Sequence, residues 1–519
     1  MRGTLAQLVA AIPGARLVGG DVAFEGVSTD SRTAPGGALF VALKGETFDA
    51  HDFLGQVAER GVAAVVVHQL PEGWTLPAIV VPDTLMALGR IANFWRKHYS
   101  IPVIGVTGSN GKTTVKEMIA SILAAAFGED ARLATQGNLN NEIGVPLTLF
   151  RLGPQHRAAV IEMGMNHPGE IGRLAAIAAP TVAMVNNAQR EHQEFMHTVE
   201  AVALENGSAL EALPLDGVAV FPGDDTYTEL WRGLAKCEVL TFGLTEDCDV
   251  SARYTSNGFG SQLSITVSEL ASGVVNHFNQ ATSSRRRPGS NSNAQPTANA
   301  SVTADANLDP GLRRDDGSNA EGENTVSITL QAAGEHNVRN ALAAFACTLA
   351  AGVDVDAIVR GLENFAPVGG RLQRKQAANG ATVIDDTYNA NPDSMRAAID
   401  VLAAYPAPRI LVVGDMGEVG TQGKEFHEEV GAYAQQRGIE HVLAFGELAH
   451  GIANAMSAPG ARHYEQFDEL LAALDATLGG NAGVKCEATV LVKGSRFMKM
   501  ERVVQHLTGS TTSSNKDAH

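Results

Sequence analysis

The sequence lacks what a nucleic-acid binder, a membrane protein or a disulfide scaffold needs. Lys and Arg number 39 against 57 Asp and Glu, a formal charge of −18, so no broad basic surface awaits a polyanionic partner or an anionic membrane. Any polyphosphate ligand must be held locally, by a few focused cations and backbone N–H groups. Four cysteines are present, Cys237, Cys248, Cys347 and Cys486, without a Cys-x-x-Cys pair, which argues against a zinc cluster or a disulfide framework. No run reaches the roughly 18 consecutive apolar residues that span a bilayer, and residues 1–15 are too interrupted for a secretory segment. Internal repeats of solenoid period are missing too. The expectation is a soluble cytoplasmic protein with reduced thiols, no nucleic-acid partner and no membrane insertion.

What is present is ordinary globular composition, 45% hydrophobic and 18% charged, over 519 residues. At roughly 150 residues per domain that length gives two to four domains. The patterning predicts an α/β chain in three parts: a small N-terminal α/β domain over 1–84, a central P-loop ATPase domain with a mostly parallel sheet over 85–369, and a C-terminal Rossmann-like doubly wound domain over 370–508, followed by a flexible tail over 509–519. Central strands such as Val103–Val106, Ala158–Ile161, Val182–Val185 and Val218–Phe221 are apolar throughout, as strands covered on both faces are. Residues 273–324, rich in Ser, Asn, Ala, Gly and Asp, read as a disordered insertion. Strand-like alternation on both sides, Leu263–Val267 and Val326–Leu330, makes it an interruption of a hairpin.

The strongest local signal is Thr107-Gly108-Ser109-Asn110-Gly111-Lys112-Thr113-Thr114, an apolar strand passing through a glycine turn and Lys-Thr into a helical run. In a P-loop the glycines admit backbone N–H groups to phosphate oxygens, the lysine reaches the β/γ-phosphates and the threonine hydroxyl ligates Mg²⁺. Val106 stands where the commonest form has its first glycine. Glu162 ends a second apolar strand and is placed to meet the same Mg²⁺. His192, soon after the strand end Asn186-Asn187, is an imidazole available to a second metal.

Taken in order, Thr107–Thr114, Glu162-Met163-Gly164, His192, His336-Asn337 with Asn340, Gly370-Arg371 and Asp386-Thr387-Tyr388-Asn389 with Pro392 resemble the Mur ligases, which build the peptide stem of bacterial cell-wall precursors. The resemblance covers nearly the whole chain outside the insertion and the tail. Gly137–Pro146 and Tyr388–Ser394 resemble the branch of the family that acts last, on a uridine-nucleotide tripeptide and D-alanyl-D-alanine. What this implies is an ATP- and Mg²⁺-dependent amide ligase, expected to act as a monomer on small-molecule substrates: the carboxylate of UDP-N-acetylmuramoyl-tripeptide attacks the γ-phosphate, and the D-Ala-D-Ala amine displaces phosphate from the acyl phosphate. Lys112, Glu162 and His192 would be catalytic. Asn337, Asn340, Arg371 and Asp386 would join residues 107–114 at ATP. Ser31, Arg32, Asp49 and His51 resemble uridine-nucleotide recognition segments. Asn138, Asn140, Asn141, Tyr388, Asn389, Lys493 and Arg496 would complete the substrate sites. With nucleotide and acceptor on different domains, the expectation is an open state in which Arg371 or Lys493 stands well away from the phosphate loop.

One departure is visible at once. The family usually carries a lysine, carbamoylated to bridge a second Mg²⁺, where this chain reads Glu205-Asn206-Gly207; Asn206 takes the lysine position, and no lysine occurs between Lys116 and Lys236. Two readings stay open: Glu205 supplies the missing carboxylate, joining Thr113, Glu162 and His192 as metal ligands, or it is a solvated helix residue. Other classes compete with the ligase as a whole. One is a sister ligase taking a different amine, and another is a nucleotide-operated scaffold. A dehydrogenase is disfavoured because Gly414-Asp415-Met416-Gly417-Glu418 is the nearest approach to Gly-x-Gly-x-x-Gly.

Overall fold

Parallel strands joined by crossover helices are covered on both faces, so they tolerate no polar interruption. Val103–Thr107, Ala158–Glu162, Val182–Val185 and Val218–Pro222 meet that demand and are buried at every position. The computed structural model, which describes residues 1–256, 260–269, 271, 273, 324–479 and 486–509, is α/β with mostly parallel sheets. The expected insertion over 273–324, apart from its two edge residues, and residues 510–519 of the expected tail lie outside the described residues.

The central sheet has nine strands, with Val103–Thr107 between Ala158–Glu162 and Val182–Val185. Register sets Glu162 opposite Val106, and Val185 opposite Thr107. The phosphate turn, the Glu162 carboxylate and Asn186 therefore leave the sheet at one carboxyl edge, where α/β sheets bind ligands. At the far side Ser261–Val267 pairs antiparallel with Asn324–Leu330 from Ser261↔Leu330 to Val267↔Asn324. The stretches flanking the insertion are thus neighbouring strands of one sheet.

One face of this sheet packs on the helices Lys112–Phe127, Glu335–Ala350 and Val355–Glu363. The other packs on Thr84–Arg96, Glu170–Ala178 and Val199–Glu211, and that core runs on without a break into the N-terminal domain through Leu5, Leu39, Ile79 and Leu88. The N-terminal sheet has five strands, Leu39–Val41, Ala64–Val67 and Ala78–Val80 at its centre. The third domain packs two cores of its own around a six-stranded sheet, parallel except for the edge strand Gln373–Gln376. Its neighbouring strands Thr382–Asp386 and Thr489–Lys493 are in register at Asp386↔Lys493.

Candidate functional site

The turn after Val103–Thr107 is fixed by asparagines on three neighbouring elements. Gly108 adopts φ +129°, and a Cβ there would sit 3.0 Å from Asn186 and from the Asn187 nitrogen. Its N–H donates to Asn206 Oδ1 at 3.0 Å, while the Asn110 N–H donates to Asn187 Oδ1 at 2.9 Å and the Asn110 carbonyl accepts from Asn186 Nδ2 at 2.7 Å. Gly111, at φ +81°, passes so close to Asn340 that an added Cβ would lie 2.4 Å from its Oδ1. Helix Lys112–Phe127 starts at once, and its first intrahelical bond runs from Val115 N–H to the Gly111 carbonyl. The N–H groups from Gly111 to Thr114 thus form the first turn of the helix, an N-terminus of the kind that suits an anion.

Glu162 lies beside this terminus. Its Oε1 accepts from the Thr113 hydroxyl at 3.2 Å and from Asn140 Nδ2 at 2.8 Å, whereas its Oε2 is buried without a hydrogen-bond partner. An orphaned carboxylate oxygen next to a threonine hydroxyl is a hard-oxygen pair that suits Mg²⁺. A second metal has no such support. Among the described residues no group of three or more His, Cys, Asp or Glu side chains could hold one. His192 stands between two carboxylates: its Nδ1 is 2.6 Å from Glu418 Oε2, within ion-pair distance but outside hydrogen-bond alignment, and its Nε2 is 3.9 Å from Glu191 Oε2.

Glu205 corrects both readings of it, the metal ligand and the solvated helix residue, because it is buried and engaged by backbone donors. Its two oxygens accept from the N–H groups of Gly169 and Ile171 at 2.7 and 2.8 Å, so the buried carboxylate caps helix Glu170–Ala178. A carboxylate is favoured there by the orphan donors and by the positive end of the helix dipole.

Lys112 folds back onto its own loop, donating to the carbonyls of Gly108 at 2.5 Å and Ser109 at 3.1 Å, and pairs with Glu191 at 3.3 Å. Glu191 is buried, and its second oxygen has no partner. Nothing in the sequence marked it, because an acid beside a histidine reads as surface until the chain is folded.

The third domain closes on this edge. The Arg371 guanidinium lies 4.1 Å from the Tyr388 ring centre and brings Nη2 to 3.4 Å from the Thr113 hydroxyl, which corrects the expectation of a distant Arg371. Asn391 caps helix Pro392–Ala403 in a capping box with Ser394, Pro392 filling the first helical position, and its Nδ2 donates to Asn110 Oδ1 at 3.0 Å. Arg190 grips Asp393 at 2.6 Å and Glu429 at 2.7 Å and lies over the Phe426 ring. Glu429 and then Asp393 raise the Arg190 pKa above the ordinary guanidinium range. Arg190 and Glu429 carried no motif, and the Tyr388–Ser394 segment that holds Asp393 gave no sign of an arginine partner; both acids lie more than two hundred residues away from Arg190 in the chain.

Other expected residues divide into those brought to the edge and those held apart. Asn340 Oδ1 accepts from Asn186 at 2.9 Å, and its amide donates to Asn337 at 3.2 Å, joining both to the loop. Thr114, Asn337 and Arg371 line a cleft with Phe365 and Tyr405. Lys493 is buried, paired with Asp386 at 2.7 Å and donating to the Asn389 carbonyl at 2.8 Å; burial pushes its pKa down. Arg496 pairs with Glu501 at 3.1 Å on the surface. Asn138 is exposed, and Asn141 accepts from the N–H groups of Ile143 and Gly144 in a local turn. In the N-terminal domain Ser31 is buried and Arg32 pairs with Asp30 at 3.0 Å. Asp49 lies 2.6 Å from His51 Nδ1, and the His51 backbone N–H, with the ring adding to it, holds that carboxyl down to about 2.

Comparison with known proteins covers the same three regions. The Mur ligase family, catalytic domain, matches residues 23–96; the Mur ligase middle domain matches 106–281; and the Mur ligase, glutamate ligase domain matches 370–496. The UDP-N-acetylmuramoyl-tripeptide–D-alanyl-D-alanine ligase of Escherichia coli K12 is 36% identical over 98% of this chain and 99% of its own. Its Bacillus subtilis counterpart is 32% identical over 94% of each. Among solved structures, MurF from Acinetobacter baumannii superposes with a TM-score of 0.81 at 31% identity, covering 98% of this chain and 99% of that one.

Proposed function

The chain belongs to the Mur ligase family, and from that premise we propose that it joins D-alanyl-D-alanine to UDP-N-acetylmuramoyl-tripeptide at the expense of ATP, in the synthesis of peptidoglycan precursors. What carries the reading is that identity to ligases of this name runs from end to end, through the phosphate loop and the third domain alike.

ATP lies with its phosphates on the N–H groups of Gly111 to Thr114 and its base in the cleft beside Asn337. The tripeptide carboxylate attacks the γ-phosphorus, ADP departs, and an acyl phosphate forms. Two anions must meet for that step, so the barrier is chiefly electrostatic. Lys112, released from the Gly108 and Ser109 carbonyls, supplies one cation, and Arg371 beside Thr113 supplies another from the opposite domain. Thr113 and Glu162 would hold Mg²⁺, which neutralises charge on the β/γ-phosphates when bound. The D-Ala-D-Ala amine then adds to the acyl carbon, the tetrahedral intermediate expels phosphate, and the nitrogen loses its proton. Closure of the third domain around Arg371 keeps water from the acyl phosphate. Arg32, Asp49 and His51 take the uridine nucleotide, and Tyr388, Asn389, Lys493 and Arg496 form the acceptor side. The protein works as a monomer in the cytoplasm; among the described residues no helix is long and apolar enough to cross a membrane.

The test is phosphate release from ATP with the uridine-nucleotide tripeptide and one amine at a time. Release is expected with D-Ala-D-Ala and not with meso-diaminopimelate or L-lysine. Equal release with all three, or release independent of amine, would overturn the reading. Lys112→Ala is expected to lower amine-dependent release by about 10²–10³-fold, the loss typical of one electrostatic donor.

A further inference from the structure

We propose that Asn206 is a positioning residue for phosphoryl transfer, a buried amide that sets the first turn of the phosphate loop before nucleotide arrives. Asn206 is 1% exposed and sits on helix Val199–Glu211, almost a hundred residues along the chain from the loop it holds. Its Oδ1 accepts twice, from the Thr107 hydroxyl at 2.6 Å and from the Gly108 N–H at 3.0 Å, and its Nδ2 donates to the Val202 carbonyl one turn back at 3.1 Å. The last bond fixes the amide's orientation, so the oxygen has one direction to face.

That geometry has a chemical consequence. Gly108 is held in a conformation closed to other residues, and its N–H points into the protein instead of toward a ligand. Asn187 takes the Asn110 N–H in the same way. The loop's own donors are therefore spent on scaffolding, and the anion is left to the helix start at Gly111 to Thr114. A donor array aimed at charge that develops in the transition state contributes most when it needs no rearrangement, and loosening its support costs rate more than ground-state binding. Asn206 touches no reacting atom in this scheme and acts through Thr107 and Gly108.

The inference deepens the proposed ligase reading, and nucleotide binding tests it apart from the identity of the acceptor. Asn206→Ala is expected to lower kcat by about 10- to 100-fold, the cost of a misplaced reacting group, with a smaller rise in the KM for ATP and in the dissociation constant of a non-hydrolysable ATP analogue measured calorimetrically. Thr107→Val, which removes the hydroxyl donor with little change of shape, is expected to lower kcat in the same direction by a few-fold. In the double variant the Thr107→Val loss should largely disappear, because both changes delete one bond. A purely structural asparagine would lower the melting temperature and leave kcat and analogue binding within twofold of wild type at 25 °C, and that result overturns the proposal. If Asn206→Ala does not fold, Thr107→Val decides alone: unchanged kcat overturns it. Failure of D-Ala-D-Ala dependence with intact analogue binding would strike the ligase reading and leave this inference standing.

Discussion

The two seams between domains are built from opposite materials. Between the N-terminal and central domains a single apolar core passes from Leu39, Ile79 and Leu88 to Val103, Ile161 and Leu174, and the buried Arg96 closes its edge by donating to the carbonyls of Ala178, Ala179 and Tyr99. Between the central and third domains the contacts are mostly polar, apart from Ala333 against the third-domain core: Arg190 with Asp393 and Glu429, His192 with Glu418, Asn110 with Asn391, and Arg371 with Thr113. Opening the first would expose apolar surface at about 25 cal/mol per Å². Opening the second exchanges ion pairs for water, and partly exposed pairs give up less free energy on hydration than apolar surface does. The difference predicts which seam moves: the third domain should hinge against the other two, because its polar contacts can part into water where the shared apolar core cannot.

Breaking the apolar seam should have the largest effect, and on stability. Leu88→Ala removes a fully buried side chain from the shared core and is expected to cost about 2–5 kcal/mol. Because the core is continuous, calorimetry should show the N-terminal and central domains melting earlier together. An N-terminal transition that shifts by itself would mean that the two do not share a core.

Breaking the polar seam should instead tax turnover. Arg190→Ala removes one guanidinium from two acids and from the Phe426 ring, and is expected to reduce kcat about tenfold while lowering stability by only about 1 kcal/mol, the scale of a partly exposed pair. Asp393→Asn and Glu429→Gln should each reproduce part of the loss. A variant that binds nucleotide and turns over normally would show that this ion cluster contributes nothing to closure.

Salt separates the seams more gently. At 0.5 M NaCl exposed charges more than a few ångströms apart are screened, so the wild-type rate should fall several-fold while the melting temperature of the apolar pair barely moves. The salt response should shrink in Arg190→Ala, whose cluster is already gone. A melting temperature that falls in step with the rate would assign the salt effect to the fold instead.

What the sequence made legible follows the range of the interactions. The phosphate loop and Glu162 were readable because each is written locally: glycines before Lys-Thr, and a carboxylate ending an apolar strand. Neighbours on a helix were not. Glu205 and Asn206 differ by one position, about 100° around the helix axis, and the rotation that takes Asn206 to Thr107 and Gly108 takes Glu205 to the start of the next helix. Asn140 and Asn141 divide in the same way, one donating to Glu162 and the other closing a turn. The polar seam was invisible because Arg190 and Asp393 lie 203 residues apart, and nothing near either announces the other.

The smallest expected effect is none at all, and it sharpens the same point. A lysine at position 206 could take up carbon dioxide and present a carbamate to a second metal, and its rate would then depend on bicarbonate. An asparagine amide cannot be carbamoylated, and here its oxygen is engaged by two donors of the loop while Glu205 is held by helix N–H groups. Asn206 has no carboxylate to offer, and Glu205 could present its own only by giving up both bonds to the helix N–H groups. Turnover in degassed, bicarbonate-free buffer should therefore equal turnover with added bicarbonate, at saturating and at limiting Mg²⁺. A bicarbonate-dependent rise would mean a carbamate on some other lysine, which mass analysis of the trapped enzyme would locate.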